Sequence, residues 1–218
     1  MSYSLNESFF ETIDTEEKAY WLGFLYADGY VSSARPWTVI CHICDKEHLY
    51  SFKNSINFTG PIKTKKLSSY SRDNKESFRL EICRKKMCLD LHKLGCQSKN
   101  KYIFNTKYES AYWRGIFDGD GCISVTSRYR YFNNKKYGPY TVAKSYIILQ
   151  KQDVHHFENI LKKLNIQYQI EQSKTDYMYY VQFSSIPSII KFGNWLYSDN
   201  ASFLERKKEK FIQLQSLL

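Results

Sequence analysis

The sequence has no long apolar run. Its most apolar stretch, AYWLGFLYA at 19–27, is nine residues long, against about 20 for a helix that crosses a bilayer, so a helical membrane protein is excluded. MSYSLNESFF at the start lacks the basic residues, apolar centre and small-residue cleavage site of a secretory signal. An intracellular, non-secreted protein is therefore expected, in the cytoplasm of a bacterial or phage-infected cell or in an organelle. A Gly-rich phosphate loop and a nucleophile elbow are also missing, which removes the main support for a small-molecule enzyme. Cysteine is present (Cys41, Cys44, Cys83, Cys88, Cys96, Cys122), but a reducing compartment makes free thiols the expected state. Cys41 and Cys44 have the gap of a zinc pair, yet WTVICHI alternates like a strand and points them to opposite faces. His155 and His156 are adjacent at the start of a helix and do not share a face, so they are read as exposed.

Acid is scarce where it matters. Of 218 residues, 32 are Lys or Arg and 22 Asp or Glu, a formal charge of +10. Hydrophobic residues make up 43% and charged residues 25%, the composition of a folded chain. Residues 61–86 hold nine bases and three acids, and residues 126–151 hold six bases and no acid. Each segment is +6, leaving −2 for the rest. Both interleave bases with Tyr, Ser, Thr and Asn in β-rich runs, as in KTKKLSSYSRDNKESFRL and TSRYRYFNNKKYGPYTV. They are read as basic β-ribbons able to enter a DNA groove, with bases on phosphates and Tyr, Asn, Gln or Ser on base edges. The candidate DNA contacts are Lys63, Lys65, Lys66, Tyr70, Arg72, Lys75, Arg79 and Arg84 in the first segment. In the second they are Arg128, Arg130, Tyr131, Asn133, Lys135, Lys136, Tyr140 and Lys144.

The chain repeats itself. AYWLGFLYADGYV at 19–31 recurs as AYWRGIFDGDGCI at 111–123, an offset of 92, and CDKEHLYSFKNSINF at 44–58 aligns with QDVHHFENILKKLNI at 152–166, an offset of 108. The second copy is thus longer by 16, an excess assigned to its basic ribbon. Each later segment shows apolar residues at helical spacing after an Asp cap (Asp45, Asp153), with an Asn exit (Asn57, Asn165). The patterns predict helices near 15–28, 46–57 and 86–94 and strands at 29–33, 37–44, 61–68 and 77–83 in copy 1. Copy 2 is predicted to have helices near 108–120, 154–164 and 187 onward, with strands at 122–132, 140–150, 167–173 and 178–184. The domains are expected at 1–98 and 108–218, joined by 99–107.

Each repeated helix has a capping signal, Asp14-Thr15 with Glu17 and Asn105-Thr106 with Glu109, and ends at Asp-Gly. Gly23 with Ala27, and Gly115 with Gly119, line one face of each helix. An interior glycine costs about 1 kcal/mol, so its use in both copies predicts close helix–helix packing. That packing sets Asp28 and Asp120 side by side at helix C-termini, where charge repulsion calls for a cation. Paired carboxylates on a basic surface suit divalent-metal phosphodiester hydrolysis.

WLGFLYADG (21–29) and WRGIFDGDG (113–121) resemble the two signature helices of single-chain LAGLIDADG, or dodecapeptide-type, homing endonucleases. The resemblance implies an α+β fold: two pseudo-symmetric αββαββα repeats forming a saddle of antiparallel sheets, with the motif helices packed at the centre. It further implies a monomer that cuts a long, weakly palindromic double-stranded DNA site across the minor groove and leaves 3′ overhangs. Mg²⁺ would be the cofactor, Mn²⁺ a substitute, and Ca²⁺ an ion that supports binding without cleavage.

By the same resemblance Asp28 and Asp120 bind metal and bridge to the scissile phosphates, with Ala27 and Gly119 in the metal shell. Asp118 fills an earlier acidic place that is Tyr26 in copy 1, a position usually structural. Gln150 falls at the polar position near the active-site waters, with His42 opposite it through the 108 offset. Lys85 is favoured as the basic residue at the start of the third helix, whereas SSIPS at 184–188 offers no base, so unequal strand cleavage is expected. The tail SFLERKKEKF resembles the closing helix or is a solvated amphipathic end. The alternative function is a non-cleaving binder on the same scaffold, a DNA-binding regulator or, with RNA as partner, an intron maturase.

Overall fold

A computed structural model describes residues 3–65, 76–96, 107–174, 177–183, 185–198 and 201–217. Lys66, Tyr70, Arg72, Lys75, the predicted linker through 106 and the Asn105-Thr106 cap lie outside the described residues. The architecture is α+β, and by its contacts the chain forms two units, 1–119 with 199–203 and 120–198 with 204–218. The predicted domain division follows the repeat; the packing division falls inside the second motif helix.

The first unit opens on α1 (Glu16–Asp28), followed by β1 (Gly29–Val31), β2 (Thr38–Ile43), α2 (Lys46–Ser55), β3 (Lys63–Lys65), β4 (Ser77–Cys83) and α3 (Lys85–Lys93). Then comes α4 (Glu109–Asp120). Its strands form one antiparallel sheet in the order β1-β2-β4-β3. Ala19 through Leu25 are all buried, so α1 has no polar stripe and behaves as an interior helix. The Trp21 ring lies tilted 4.9 Å from that of Phe52 and its indole nitrogen donates to Ser55 Oγ at 2.9 Å, so the helix brings both apolar area and a satisfied donor to the core. The cap of α1 is Thr15, whose hydroxyl accepts from Lys18 N at 3.2 Å; Asp14 instead pairs with Lys18 Nζ at 2.8 Å. The predicted Asp14/Glu17 box is thus shifted by one residue.

The second unit is built from β5 (Gly121–Phe132), β6 (Lys135–Gln150), α5 (Lys151–Lys163), β7 (Tyr168–Gln172), β8 (Met178–Phe183), α6 (Ile186–Leu196) and α7 (Glu205–Gln215). Its sheet has the order β5-β6-β8-β7, the same as in the first unit. Ile147, Leu149, Val181 and Phe183 face Phe157, Leu161, Phe192 and Phe211 in the core, each burial contributing about 1.5–3 kcal/mol. A Cβ on Gly193 would sit 2.3 Å from the Phe211 ring, so the glycine lets α7 close on α6.

The sheet registers correct the alignment of the copies. Gly29 pairs with Cys41 and Gly121 with Ile147, so the returning strands are offset by 106 and 14 of the 16 extra residues belong to the β5–β6 ribbon. The other two are absorbed around α5, which starts earlier than predicted: its N-cap is Gln150, and Asp153 lies inside the first turn. Asp45 does occupy the N-cap of α2, without a side-chain capping bond. The exits agree, since Asn57 and Asn165 both adopt φ 51°, a left-handed conformation that asparagine tolerates well. The ribbon turn is also tighter than the predicted gap at 133–139. Asn133 and Asn134 (φ 48° and 58°) form a two-residue hairpin of the kind that matches strand twist.

Candidate active site and nucleic-acid interface

The motif helices α1 and α4 meet main chain to main chain. A Cβ on Gly23 would lie 2.0 Å from Tyr112 O, one on Gly115 2.1 Å from Tyr20 O, and one on Gly119 2.5 Å from Ala27 Cβ and 3.5 Å from Asp28 Cγ. The small face predicted from sequence is therefore the contact face, and no larger residue fits at its glycines. Gly29, at the end of α1, has extended backbone (φ −87°), so it is not there for a left-handed cap. A Cβ at this position would be 2.4 Å from Leu25 O, and the glycine lets the helix pass straight into β1.

Asp28 is exposed and Asp120 half-buried, each the last residue of its helix. Burial, and secondarily the charge of Asp28, pushes the Cys41 thiol well above its ordinary range. Cys41 is buried and Cys44 exposed beyond the end of β2, and no cluster of three His, Cys, Asp or Glu able to hold a metal occurs among the described residues. The donors at each motif end are thus one carboxylate with neighbouring backbone, Ala27 and Gly119 included. That set does not enclose an ion by itself. It fits a hard divalent cation that binds through one or two carboxylates and fills its shell with waters and phosphate oxygens.

Asp118 is 1% exposed and accepts from Tyr20 OH at 2.8 Å; the same hydroxyl is 2.9 Å from His48 Nε2. Arg114, fully buried, donates from Nε to Ser202 O at 2.9 Å and lies over the Tyr20 ring at 5.5 Å. These groups are satisfied by one another, by His48 of α2 and by Ser202 in the interior of the first unit, which gives Asp118 a structural place. Tyr26 at the matching position packs 6.3 Å from Tyr112 instead.

Continuing the ladders by one residue sets Asp28 across from His42 and Asp120 across from Ile148. The partner of His42 in the second unit is thus Ile148, not Gln150. The 108 alignment slipped by two because a two-residue shift preserves the in-and-out pattern of a strand. His42 is exposed with Nε2 2.8 Å from Ser77 Oγ. Gln150, also exposed, accepts from Gln152 at 3.3 Å.

Lys85 is not brought to that row. His42 pairs with Arg79, and β4 runs four more residues, about 13 Å, before α3 begins. There Lys85 Nζ lies 5.9 Å from the Trp37 ring centroid. Arg84 is engaged by Glu7 at 2.7 Å and by the carbonyls of Cys83 and Tyr3. A base that sequence reasoning missed is Lys207 on α7. It is 5% exposed and donates to Gly121 O at 2.6 Å, one residue past Asp120. Burying an ammonium costs several kcal/mol unless it is well partnered. The signal was present: Leu204, Lys207, Phe211 and Leu214 follow one helical stripe, and all four are buried.

The candidate DNA contacts divide between two surfaces. In the first unit Lys63 pairs with Arg79 across the ladder, and both reach Glu81, at 3.5 and 3.4 Å. Lys65 ends β3 opposite Ser77. In the second unit the distal ribbon pairs Arg128 with Tyr140, Arg130 with Tyr137, Lys136 with Tyr131 and Lys135 with Phe132. All eight are exposed, and each pair joins a base to an aromatic ring. The register shifts between Arg128 and Arg130, so Gly138 (φ 114°) and Pro139 fall at a bulge, where a missing N–H does no harm. Asn133 is in the turn, and Lys144 is nearer the core, opposite Ser124.

The LAGLIDADG-like domain model matches residues 107–194. No curated protein matches the sequence. Among solved structures the chain is similar to the meganuclease I-SmaMI on uncleaveable DNA (TM-score 0.60, 13% identity, 91% of this chain and 88% of that one), a protein also solved on its uncleaved target with calcium ions. It is similar to the LAGLIDADG homing endonuclease I-LtrWI on target DNA (0.59, 13%, 97% and 91%) and to full-length DUF199/WhiA from Thermatoga maritima (0.55, 14%, 97% and 64%). No helix among the described residues is long and apolar enough to cross a membrane. Residues 107–194 are thus a LAGLIDADG-like domain, and the chain, with its two repeats, has the single-chain fold of the LAGLIDADG homing endonucleases.

Proposed function

We propose that the chain is a site-specific double-strand DNA endonuclease that hydrolyses phosphodiester bonds across the minor groove and leaves 3′ overhangs. The observation that carries the reading is the backbone-close packing of two motif helices that each end in Asp-Gly. Asp28 and Asp120 add carboxylate charge where the helix dipole is already negative, an arrangement suited to a divalent cation. When bound, Mg²⁺ supplies an activated water and neutralises the leaving oxygen.

The chain's own residues do the rest. One carboxylate serves each strand, Lys207 fixes the main chain beside Asp120, and His42, across from Asp28, offers a polar group to water. Lys63, Arg79 and the distal ribbon hold the phosphates. A second reading, a non-cleaving binder of DNA or RNA, draws on that ribbon, whose base and aromatic pairs need no metal to bind.

The test is a randomised duplex library incubated with Mg²⁺ and again with Ca²⁺, with bound and cleaved molecules both sequenced. A long, weakly palindromic site bound in either ion and cut only in Mg²⁺ is the expected result. Site-specific binding with no cleavage in Mg²⁺ or Mn²⁺ replaces the endonuclease by the binder.

A further inference from the structure

The outward face of the second sheet carries chemistry separate from the ribbon and the motif ends. Ser145, Ile147 and Leu149 of β6 and Val181 and Phe183 of β8 are buried. The alternate residues Lys144, Tyr146, Tyr180 and Gln182 therefore face outward. The register aligns Cys122, Tyr146, Gln182 and Gln169 in one row across all four strands. Tyr146 and Tyr180, with rings 5.6 Å apart, Lys144 and the two glutamines border an open hollow of about 480 Å³.

Within this row one side chain is already oriented. Gln182 Nε2 donates to Glu171 Oε2 at 3.2 Å. An ionised carboxylate accepts only, so the contact fixes which end of the amide is nitrogen. That nitrogen carries two protons and gives one to Glu171. When the proton anti to the carbonyl is the one given to Glu171, the other proton and the carbonyl oxygen form an adjacent donor and acceptor. In the major groove this pair complements N7 and the N6 amino group of adenine, the edge that Gln recognises with two hydrogen bonds. Gln169 has no such tether among the described residues and is ordered on binding at an entropic cost.

We infer that Gln182, held by Glu171, is a specificity-determining residue that reads an adenine in the half-site bound by the second unit. The inference rests on the duplex-DNA reading above. Its test selects duplexes from a randomised library in Ca²⁺, so that binding is read apart from cleavage, for the wild type, Gln182→Ala, Gln182→Arg and Glu171→Gln. The wild type should prefer adenine at one position by about 5- to 150-fold, the range of one two-bond base contact. Gln182→Ala should lose that preference at that position alone. Gln182→Arg should move it to guanine, and Glu171→Gln should weaken it several-fold without moving it. A site selected with the same base profile by all four proteins overturns the role of Gln182, as does a uniform loss of affinity with no change at any position. If no protein enriches any duplex, the endonuclease reading fails and the inference falls with it. A move from adenine to guanine is a result that a merely structural role does not give.

Discussion

The two units use the same strand order but spend their first hairpin differently. In the first, three ladder pairs join β1 to β2, and the turn folds back on itself through Ser32 Oγ, which donates to Pro36 O at 2.7 Å. In the second, the hairpin gains 14 residues and runs to Asn133-Asn134 with no buried side chain from Thr126 to Tyr140. A strand pair that buries nothing contributes little to stability. A base on every distal pair gives it charge on both faces, which is the feature that the proposed DNA contact draws on. The first unit instead tempers its outward bases with Glu81. Duplication supplied one scaffold, and charge placement made the halves unequal.

The largest expected effect tests whether this inequality reaches the chemistry. Asp28→Asn and Asp120→Asn should each lower double-strand cleavage by at least about 1,000-fold while binding in Ca²⁺ persists; normal duplex cutting by Asp120→Asn would overturn the mechanism. Next comes the ribbon. Replacing Arg128, Arg130, Lys135 and Lys136 together by Ser should lower the log–log salt slope of binding by about 4, since each phosphate contact adds about 0.9. Replacing Lys63 and Arg79 should lower it by less than about 2, because Glu81 already offsets part of their charge. Equal slopes per base in the two units would erase the contrast.

Lys207→Met should slow nicking of one strand by about 100-fold, read from supercoiled, nicked and linear plasmid over time. Equal slowing of both strands would show a general structural role. Gly23→Ala and Gly115→Ala test the helix packing inside the first unit. Each drives a Cβ into a carbonyl oxygen and should lower stability by about 3 kcal/mol, measured by denaturant unfolding. The smallest effect is at the paired exits: Asn57→Ala and Asn165→Ala should each cost about 1 kcal/mol, and the Gly versions almost nothing. A large loss at only one of them would mean that the copies differ there too.

Much of the architecture was legible because its signals are periodic or repeated. The 92 offset found both motif helices and their small faces, and the turn chemistry found both Asn exits. What sequence blurred follows from the same periodicity. A strand looks alike after a slip of two, so His42 was matched to Gln150 when the ladder pairs its place with Ile148. Lys207 is easily passed over because a lysine in a charged tail reads as solvated, although its spacing from Leu204, Phe211 and Leu214 sets it on their buried stripe. Gln182 carried no pattern of its own, since its orientation depends on Glu171 of a neighbouring strand. The capping box at Asp14 was one residue off, within the usual blur of helix ends.

The contact of Gly23 and Gly115 with opposing carbonyl oxygens has a further consequence for building hybrid chains. A helix interface made from main chain offers few side chains to retune. Halves taken from two different parents would therefore join only if both bring glycine at these points, whatever the rest of their sequences. Given that match, the remaining faces of the two helices can vary, because the distance between them is set by backbone alone.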